Sequence, residues 1–574
     1  MSSDRLDCVT IGYYEPAFEE HERMLRQLGV GSAAYRDLQF SFVDLGDRKL
    51  TYAGLLSYAF RLANGGGSEG NDEFKSGDIP SLAAVYLTNF LRRRGLAADY
   101  VNLFSYETDK LRRLLARRPL CVAVTTTFYS LNFPVIEIVN GIKRLAEYDA
   151  GTRIVVGGPL VANHHRRYPA DELLIALDDM GADAYVVESQ GELTLGRYVE
   201  CLRRGGDLAE VPNLVYRDAA TGRLRVNPVE KEANSLESGA IDWRSFAGEG
   251  LGATLQTRTA RSCAFSCSFC GYPTRAGKLT LASVDTVAGE LDAMRAIGGV
   301  ENVVFIDDTF NVPLPRFKEL CRMMIRKRYG FRWFSYFRCS NSDQEAIELM
   351  AQSGCKGVFL GIESGSPQIL LNMDKHAAVD KYREGIRLLK QHGILVFGSF
   401  ITGFPGETAA TVRETAEFIK ETRPDYYRAQ IWYCEPGTPI YQRKDQYGIE
   451  GEGYNWRHAT MDSQEAMERV EDLFLEIHES QWLPQWSFDF WIIPYLLGKG
   501  MPAGRFARFV SLANRMLQAE IEDAPSDEKK HLQRECLDAM VRDLKGWRPG
   551  APAAAPPLAA AGTSMVEPEH AVRP

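Results

Sequence analysis

Residues 263–270 read Cys-Ala-Phe-Ser-Cys-Ser-Phe-Cys, which places three thiols within eight residues at the spacing CxxxCxxC. The strand pattern TLQTRTA (254–260) precedes them, so the thiols lie in the loop that follows a strand. Three thiolates can bind three irons of a [4Fe-4S] cube and leave the last iron open to a chelating ligand. A structural zinc site is the alternative, but zinc usually takes four protein ligands, and no further Cys or His lies nearby in the sequence.

The composition is typical of a chain that buries sizeable cores and has a modest charge. The 574 residues are 45% apolar and 25% charged, with a formal net charge of -9. This length favours roughly three to four domains. Because no basic cluster is present to neutralise phosphates, we expect a small-molecule substrate and no nucleic-acid partner.

Cysteine usage and hydropathy indicate the compartment. The eleven cysteines are odd in number, and most stand singly in apolar patterns, as expected of buried thiols in a reducing environment. No segment approaches 18 uninterrupted apolar residues, and residues 1–16 have no apolar leader. We therefore expect a cytoplasmic protein without a membrane partner.

Alternating strand and helix patterns predict an α/β fold in two successive parts. Residues 1–240 form a doubly wound, Rossmann-like domain, interrupted at about 17–80 by a polar, Gly-rich insertion that we predict to be a long loop or lid. A linker of little periodicity covers roughly 215–250. Residues 241–445 contain about six strand and helix pairs, which predict a partial α/β barrel. Residues 446–547 are mainly helical in pattern, and the low-complexity tail 548–574 is predicted to be disordered.

The cysteine spacing, with Phe269 before the third thiol, resembles the signature of the radical SAM superfamily. GIESGS (361–366) is similar to the superfamily's strand-end motif, in which the glutamate, here Glu363, binds the ribose of S-adenosylmethionine (SAM). The resemblance implies that Arg338 binds the SAM carboxylate and that the backbone of Tyr272 meets the adenine. The full set of SAM contacts implied in this way is Phe269, Tyr272, Asp307 or Asp308, Arg338, Gly361, Glu363, Gly403 and Phe404.

Some of these residues also have structural alternatives. Asp307 caps the following element in one such interpretation, and Arg338 pairs with a surface carboxylate. Gly403, in GFPGET (403–408), then simply closes a tight turn.

A doubly wound domain before such a barrel resembles the cobalamin-dependent branch of the superfamily. VVGGP (155–159) and TTTFYS (125–130) both follow strands, where open α/β sheets bind ligands. A flavodoxin-like nucleotide-binding or regulatory domain is the alternative. The predicted cobalamin rim comprises Gly12, Tyr13, Tyr14, Thr125, Thr126, Thr127, Gly157, Gly158, Pro159, Glu188 and Gln190.

The lower cobalt face is expected to have no histidine ligand. The sequence lacks the DxHxxG motif that supplies one in mutase-type domains, and no tryptophan precedes Trp243. The 17–80 insertion is our candidate for covering that face.

The resemblance implies a methyltransferase that acts on an unactivated centre. One SAM methylates cob(I)alamin, a second yields a 5'-deoxyadenosyl radical that abstracts hydrogen, and a flavodoxin- or ferredoxin-type donor restores the cobalt. GYYEPAFEE (12–20) and SFDFWIIPYLLGKG (487–500) are similar to phosphinate P-methylases of natural-product pathways, so the acceptor is carbon or phosphorus. A non-methylating rearrangement or cyclisation, and an iron-sulfur or cobalamin sensor, remain alternatives. The aromatic residues Trp482, Trp486, Phe488, Phe490 and Trp491 form either a cavity cap or core.

Overall fold

The computed structural model describes residues 5–66, 74–486 and 488–550. The first part contains β1 (Cys8–Tyr13), α1 (Phe18–Arg26), α2 (Ala33–Gln39), β2 (Phe42–Asp44), β3 (Lys49–Thr51), α3 (Tyr52–Ala63), α4 (Leu82–Arg92), β4 (Ala98–Leu103), α5 (Thr108–Leu115), β5 (Cys121–Thr125), α6 (Phe133–Arg144), β6 (Arg153–Gly157), α7 (Pro159–Arg167), α8 (Ala170–Asp179), β7 (Ala184–Val186), α9 (Glu192–Arg204), β8 (Leu214–Arg217), β9 (Leu224–Val226) and α10 (Leu236–Gly239).

The second part begins with β10 (Thr254–Thr257) and the short hairpin β11 (Ala260–Arg261) and β12 (Thr280–Leu281), between which lies α11 (Tyr272–Ala276). It continues with α12 (Val284–Ile297), β13 (Asn302–Phe305), α13 (Leu314–Lys327), β14 (Arg332–Phe337), α14 (Gln344–Gln352), β15 (Cys355–Glu363), α15 (Pro367–Asn372), α16 (Val379–Gln391), β16 (Leu395–Thr402), α17 (Ala409–Thr422) and β17 (Tyr426–Ile431).

The C-terminal part mixes short strands with helices. It contains α18 (Lys444–Tyr447), β18 (Glu450–Glu452), β19 (Asn455–His458), β20 (Met461–Asp462), α19 (Ser463–Glu476), β21 (Gln481–Trp482), α20 (Ile492–Gly498), α21 (Ala503–Ile521) and α22 (Ser526–Leu544). The mainly helical pattern predicted for 446–547 therefore missed a three-stranded sheet, β18 to β20. These strands are only two to four residues long, too short for alternation to be recognised.

The first sheet has the order β4-β1-β5-β6-β7-β8-β9. The first five strands in this order, β4, β1, β5, β6 and β7, pair in parallel. Strands β8 and β9 add antiparallel pairs at one edge. Successive residues face opposite apolar cores, since Val9 and Val122 belong to one cluster and Cys8 and Cys121 to the other. Burial of both faces is what a doubly wound parallel sheet requires, and this part of the fold prediction is confirmed.

The second sheet is an open barrel of seven parallel strands in the order β10-β13-β14-β15-β16-β17-β21. The predicted α/β barrel is confirmed, and β21 of the C-terminal part adds a strand beside β17. Helix α12 shows why the local sequence specifies this series. Its N-cap Ser283 accepts a hydrogen bond from the Thr286 N–H at 3.1 Å, and the helix ends at Gly298 with φ of 77°.

The insertion predicted as a loop or lid is instead packed secondary structure in the part that the structure describes. Helices α1 to α3 and the β2–β3 hairpin occupy it, and Phe40, Val43 and Leu55 are fully buried. The Tyr52 hydroxyl donates to Asn514 Oδ1 at 2.7 Å, which joins the insertion to α21. The Gly-rich run at 65–72 suggested a loop, but the apolar residues before it pack against the C-terminal helices. Residues 67–72 of that run lie outside the described residues.

The linker of little periodicity also differs from the prediction. It holds strands β8 and β9 and helix α10, whose lengths of four, three and four residues are too short to give a periodic signal. Most of the predicted disordered tail, at 551–574, lies outside the described residues. Among the residues that are described, no helix is long and apolar enough to cross a bilayer.

The barrel interior is filled from the C-terminal part by Phe490, which is 1% exposed. Its ring contacts those of Phe334, Phe359 and Phe397 at centroid distances of 6.2, 5.8 and 6.1 Å. Nearby, the carbonyl of Pro494 accepts hydrogen bonds from Thr254 and Asn302 at 3.0 and 2.8 Å. The segment between β21 and α20 is thus part of the barrel core.

We predict that Phe490→Ala destabilises the barrel by about 3–5 kcal/mol, because it leaves a cavity among three aromatic rings. The urea midpoint of tryptophan fluorescence measures the effect. Phe128→Ala, at a side chain that is 67% exposed, is the matched control and should change the midpoint little. Equal midpoints for the two variants would contradict the assigned role of Phe490.

Candidate functional site

The three cysteines lie in a loop between β11 and α11 whose backbone is anchored to the barrel. The Ser268 N–H donates to the Met373 carbonyl at 2.8 Å, and its own carbonyl accepts from Ile440 N at 2.8 Å. Cys267 is buried, whereas Cys263 and Cys270 are half-buried. The loop therefore presents its thiols from a fixed backbone.

The environment of the thiols is apolar but carries positive charge on one side. Burial raises the pKa of Cys270 to about 11, and the neighbouring Cys263 and Cys267 raise it further. Burial also raises the pKa of Cys267, against the lowering effects of Lys375 and Arg338. Iron binding must therefore displace the protons from these thiols, as metal binding to cysteine generally does.

The thiol geometry bears on the zinc alternative. Among the described residues, no three His, Cys, Asp or Glu side chains converge in a way that could hold a single metal ion. Zinc requires such convergence, with sulfur at about 2.3 Å. In a [4Fe-4S] cube each thiolate instead bonds a different iron.

Asp307, which was predicted to contact SAM or to cap the following element, has its hydrogen-bond partners in the turn after β10. It is buried, and its carboxylate accepts hydrogen bonds from Thr259 N at 2.7 Å, Thr259 Oγ1 at 2.6 Å and Ala260 N at 2.8 Å. It thus fixes the turn between β10 and β11 that leads into the cysteine loop. Asp308, the alternative, lines the cavity described below, and burial raises its pKa to about 7.

Glu363 forms a buried ion pair with Lys375, with Oε1 and Nζ 2.8 Å apart. Glu363 has φ of 69°, so the end of β15 turns away from extended geometry. A Cβ on Gly361 would meet Glu363 Oε1 at 2.5 Å, which explains the glycine. Lys375 was missed in the sequence because its position in the loop after α15 has no spacing that points to Glu363.

Arg338 is a buried cation beside the cysteine loop. Its guanidinium carbon lies 3.7 Å from the ring centroid of Phe265, and Asn311 Oδ1 accepts from its backbone N–H at 3.0 Å. Its Nε and Nη2 make no hydrogen bond to any described residue. Within the part of the chain that the structure describes, Arg338 does not form the surface ion pair considered as an alternative, and the site suits an incoming anion.

The remaining predicted SAM residues surround this region. Phe404 is fully buried and packs edge-on against Phe269 at a centroid distance of 6.5 Å. Gly403 has φ of 87°, and a Cβ there would meet Trp456 at 2.5 Å. The hydroxyl of Tyr272 accepts from Ser262 N at 3.2 Å and lines the cavity.

A cavity of 710 Å³ lies between the carboxyl ends of the first sheet and the mouth of the barrel. Most of the predicted rim lines it, namely Tyr13, Tyr14, Thr125, Thr127, Gly157, Gly158, Pro159, Glu188 and Gln190. From the barrel side, Gln256, Arg258, Arg261, Tyr272, Asp308 and Tyr336 complete the wall, together with Asp489 and Trp491 of the C-terminal part. The barrel residues other than Tyr272 and Asp308 were not identified from the sequence.

Two predicted rim residues do not line the cavity. Gly12 lies against α4, where a Cβ would meet Ser81 Cβ at 2.6 Å. The Thr126 hydroxyl donates to the Gly157 carbonyl at 3.0 Å and accepts from Leu160 N at 3.2 Å, so it fixes the β6–α7 turn. Position at a strand end does not decide which way each side chain points.

The aromatic C-terminal residues divide between cap and core. Trp482, Phe488 and Phe490 are buried in the core, and Trp486 stacks on His21 at 4.3 Å. Trp491 alone of the five lines the cavity. From the insertion region, Ser76, Gly77 and Ile79 also line it.

Residues 257–419 match the sequence profile of the radical SAM superfamily. Residues 257–419 therefore form a radical SAM domain. An uncharacterized methyltransferase of Pyrococcus horikoshii is 29% identical over 66% of this chain and 82% of that relative. The match to the superfamily covers the cysteine loop and the Glu363–Lys375 pair, so these elements belong to a radical SAM domain.

Solved structures extend the likeness to the upstream sheet. The radical SAM methyltransferase TsrM from Kitasatospora setae, solved with cobalamin and a [4Fe-4S] cluster, aligns over 80% of this chain and 97% of its own, at 18% identity and a TM-score of 0.56. The cobalamin-dependent SAM radical enzyme OxsB, solved with aqua-cobalamin and SAM, covers 82% of both chains at 15% identity and a TM-score of 0.52. The radical SAM domain and the sheet before it therefore share the overall fold of these enzymes.

We predict that Asp307→Ala lowers the iron and sulfide bound per chain after anaerobic reconstitution, because three hydrogen bonds to the turn are lost. Asp307→Asn should retain both, since an amide can accept from the two N–H groups and donate to Thr259 Oγ1. Equal iron content in the alanine and asparagine variants would contradict this role.

Lys375→Met should destabilise the chain by about 3–5 kcal/mol, because it leaves the Glu363 carboxylate buried without its cation. Adding Glu363→Gln should recover part of the loss in a double-mutant cycle. Lys356→Met, at an exposed position on the same strand β15, is the control. Urea unfolding followed by circular dichroism measures the stability of Lys375→Met, Glu363→Gln, the double variant and Lys356→Met against the parent chain. A Lys375→Met variant as stable as the parent chain would refute the pairing.

Proposed function

We propose that this chain is a cobalamin-dependent radical SAM methyltransferase that methylates an unactivated carbon or a phosphinate phosphorus of a natural-product-type small molecule. The main support for this proposal is the cavity, because it connects the strand ends of the first sheet with the mouth of the radical SAM barrel. The names of the P. horikoshii relative and of TsrM support methyl transfer. A flavodoxin- or ferredoxin-type protein is the proposed reductant.

The residues at the cysteine loop fit a [4Fe-4S] cluster with SAM. Cys263, Cys267 and Cys270 would hold the irons. Arg338, whose Nε and Nη2 have no hydrogen-bond partner among the described residues, would bind the SAM carboxylate. Glu363 supplies the acceptors for the ribose hydroxyls, with Lys375 neutralising its charge at 2.8 Å. Phe269 and Phe404 form an apolar wall that excludes water from this region.

The upper part of the cavity fits a large planar cofactor such as cobalamin. The volume of the whole cavity, 710 Å³, lies within the roughly 300–1,000 Å³ typical of cofactor and ligand sites. Gly158 has φ of 113°, and a Cβ there would meet Thr126 Oγ1 at 2.8 Å, so the turn requires glycine and keeps the strand end open. Thr125 donates its hydroxyl to the Ile11 carbonyl at 2.9 Å and so joins β5 to β1 beneath the rim. What covers the lower cobalt face stays a prediction, and Ser76, Gly77 and Ile79 are the insertion-region residues that reach the cavity.

When bound, the reduced cluster supplies the electron that cleaves SAM, and cobalamin supplies the cobalt that carries a methyl group. The chain itself orients these groups. Arg338 and Glu363 would hold the two ends of SAM, and the turn held by Asp307 fixes the cysteine loop. Tyr13, whose hydroxyl accepts from Gln256 Nε2 at 3.1 Å, links the two sheets at the cavity and holds their spacing.

The test is anaerobic reconstitution of the full-length chain with iron, sulfide and cobalamin, followed by reduction with methyl-labelled SAM. We expect 5'-deoxyadenosine together with S-adenosylhomocysteine, the product of methyl donation. Cys267→Ala should abolish 5'-deoxyadenosine, whereas Cys536→Ala, on α22, should not.

Two results would contradict the proposal. Formation of 5'-deoxyadenosine without S-adenosylhomocysteine indicates a non-methylating rearrangement or cyclisation. Binding of cluster and cobalamin without cleavage of SAM indicates a sensor.

A further inference from the structure

The segment Phe488–Trp491 brings a carboxylate and an indole into the cavity. Phe488 and Phe490 are buried on the core side, and the residues that alternate with them, Asp489 and Trp491, line the cavity. Asp489 Oδ1 accepts from the backbone N–H of Trp491 at 3.0 Å, which holds the carboxylate against the start of α20. This segment belongs neither to the cysteine loop nor to the cobalamin rim.

Aromatic side chains surround this carboxylate. The rings of Trp491 and Tyr336 meet edge to face at 5.7 Å. Burial raises the pKa values of Tyr336 and Tyr13, and the charge of Asp489 raises both further. All three residues line the cavity. Asp308, across the barrel mouth, also raises the pKa of Tyr336.

The Asp489 carboxylate forms no ion pair with a described residue. Arg428 lowers its pKa, but that guanidinium donates to Asp37 at 3.0 Å. Burial raises the pKa of Asp489 to about 7. A carboxylate held in an enclosed site without a cation is costly unless a ligand supplies the charge.

Two arginines of the same cavity contact other groups of the chain, although Nε and Nη1 of Arg261 have no hydrogen-bond partner among the described residues. Arg258 lies 3.6 Å from Glu192 and 4.4 Å from the ring centroid of Tyr86, and Arg261 donates to the Asn234 carbonyl at 2.8 Å. The wall formed by Asp489, Tyr336 and Trp491 is therefore the acidic, aromatic side of the cavity.

We propose that Asp489, Trp491 and Tyr336 form a binding site for a positively charged amino group, so that the substrate is an amine-bearing small molecule. This inference rests on the proposed function, because it makes the cavity the substrate site. An ammonium group donates charge-assisted hydrogen bonds to the carboxylate and is attracted to the faces of indole and phenol rings. A neutral alcohol of the same shape leaves the carboxylate without a cation.

The experiment measures binding of 2-phenylethylammonium and of its neutral counterpart 2-phenylethanol by isothermal titration calorimetry. It uses the full-length chain loaded with cluster and cobalamin, at a pH above the Asp489 pKa of about 7. We expect the ammonium ion to bind at least about tenfold more tightly than the alcohol, a difference of about 1.4 kcal/mol. Asp489→Asn should remove that preference and leave the affinity for the alcohol unchanged.

Trp491→Leu provides a second test, with an expected severalfold loss that is confined to the ammonium ion. Asp171→Asn, at an exposed position on α8, is the matched control and should bind both probes as the parent chain does. Equal affinities of the parent chain for the two probes would overturn the inference, as would an unchanged preference in both cavity variants. Formation of 5'-deoxyadenosine, assayed in the same preparations, reports separately on the proposed function.

Discussion

The constraint on which this molecule depends is that parallel strands all end at the same edge of their sheet. Both sheets direct their carboxyl ends into one cavity, so loops that are distant in sequence become its walls. Direct contacts fix the two sheets relative to each other. Tyr13 accepts from Gln256 at 3.1 Å, and the Arg275 carbonyl accepts from Ser189 and Arg166 at 3.0 and 3.2 Å. The helix after the cysteine loop is thereby held against the upstream domain.

The charged side chains at the cysteine loop and the cavity divide into two kinds according to their partners. Asp307 has its partners within the chain and holds the turn between β10 and β11, and Glu363 is paired with Lys375. Arg338 and Asp489 have no ion-pair partner among the described residues, and each faces a region where a charged ligand is expected. Satisfied groups rigidify the site, whereas unpaired ones select what enters it.

The architecture predicted from the sequence is confirmed, and the cysteine site stays a prediction; both were recognised from local patterns. CAFSCSFC needs only its spacing, and alternating strands and helices specify the two sheets. Gly12 and Thr126 were assigned to the rim because a strand end gives the edge but not the direction of a side chain. Lys375 and Asp489 were not found, since their partners come from other elements and no periodicity marks them. The insertion was misread because its glycines were given more weight than Phe40 and Val43.

The central claim is that one cavity joins a cobalamin site to a radical SAM site. Electron paramagnetic resonance of the chain loaded with cob(II)alamin and reduced cluster tests it most directly, because both centres carry unpaired electrons. The account predicts a dipolar interaction between the two signals that disappears when Cys267→Ala removes the cluster. Two bound centres whose signals do not interact, or a chain that does not retain cobalamin, would contradict it.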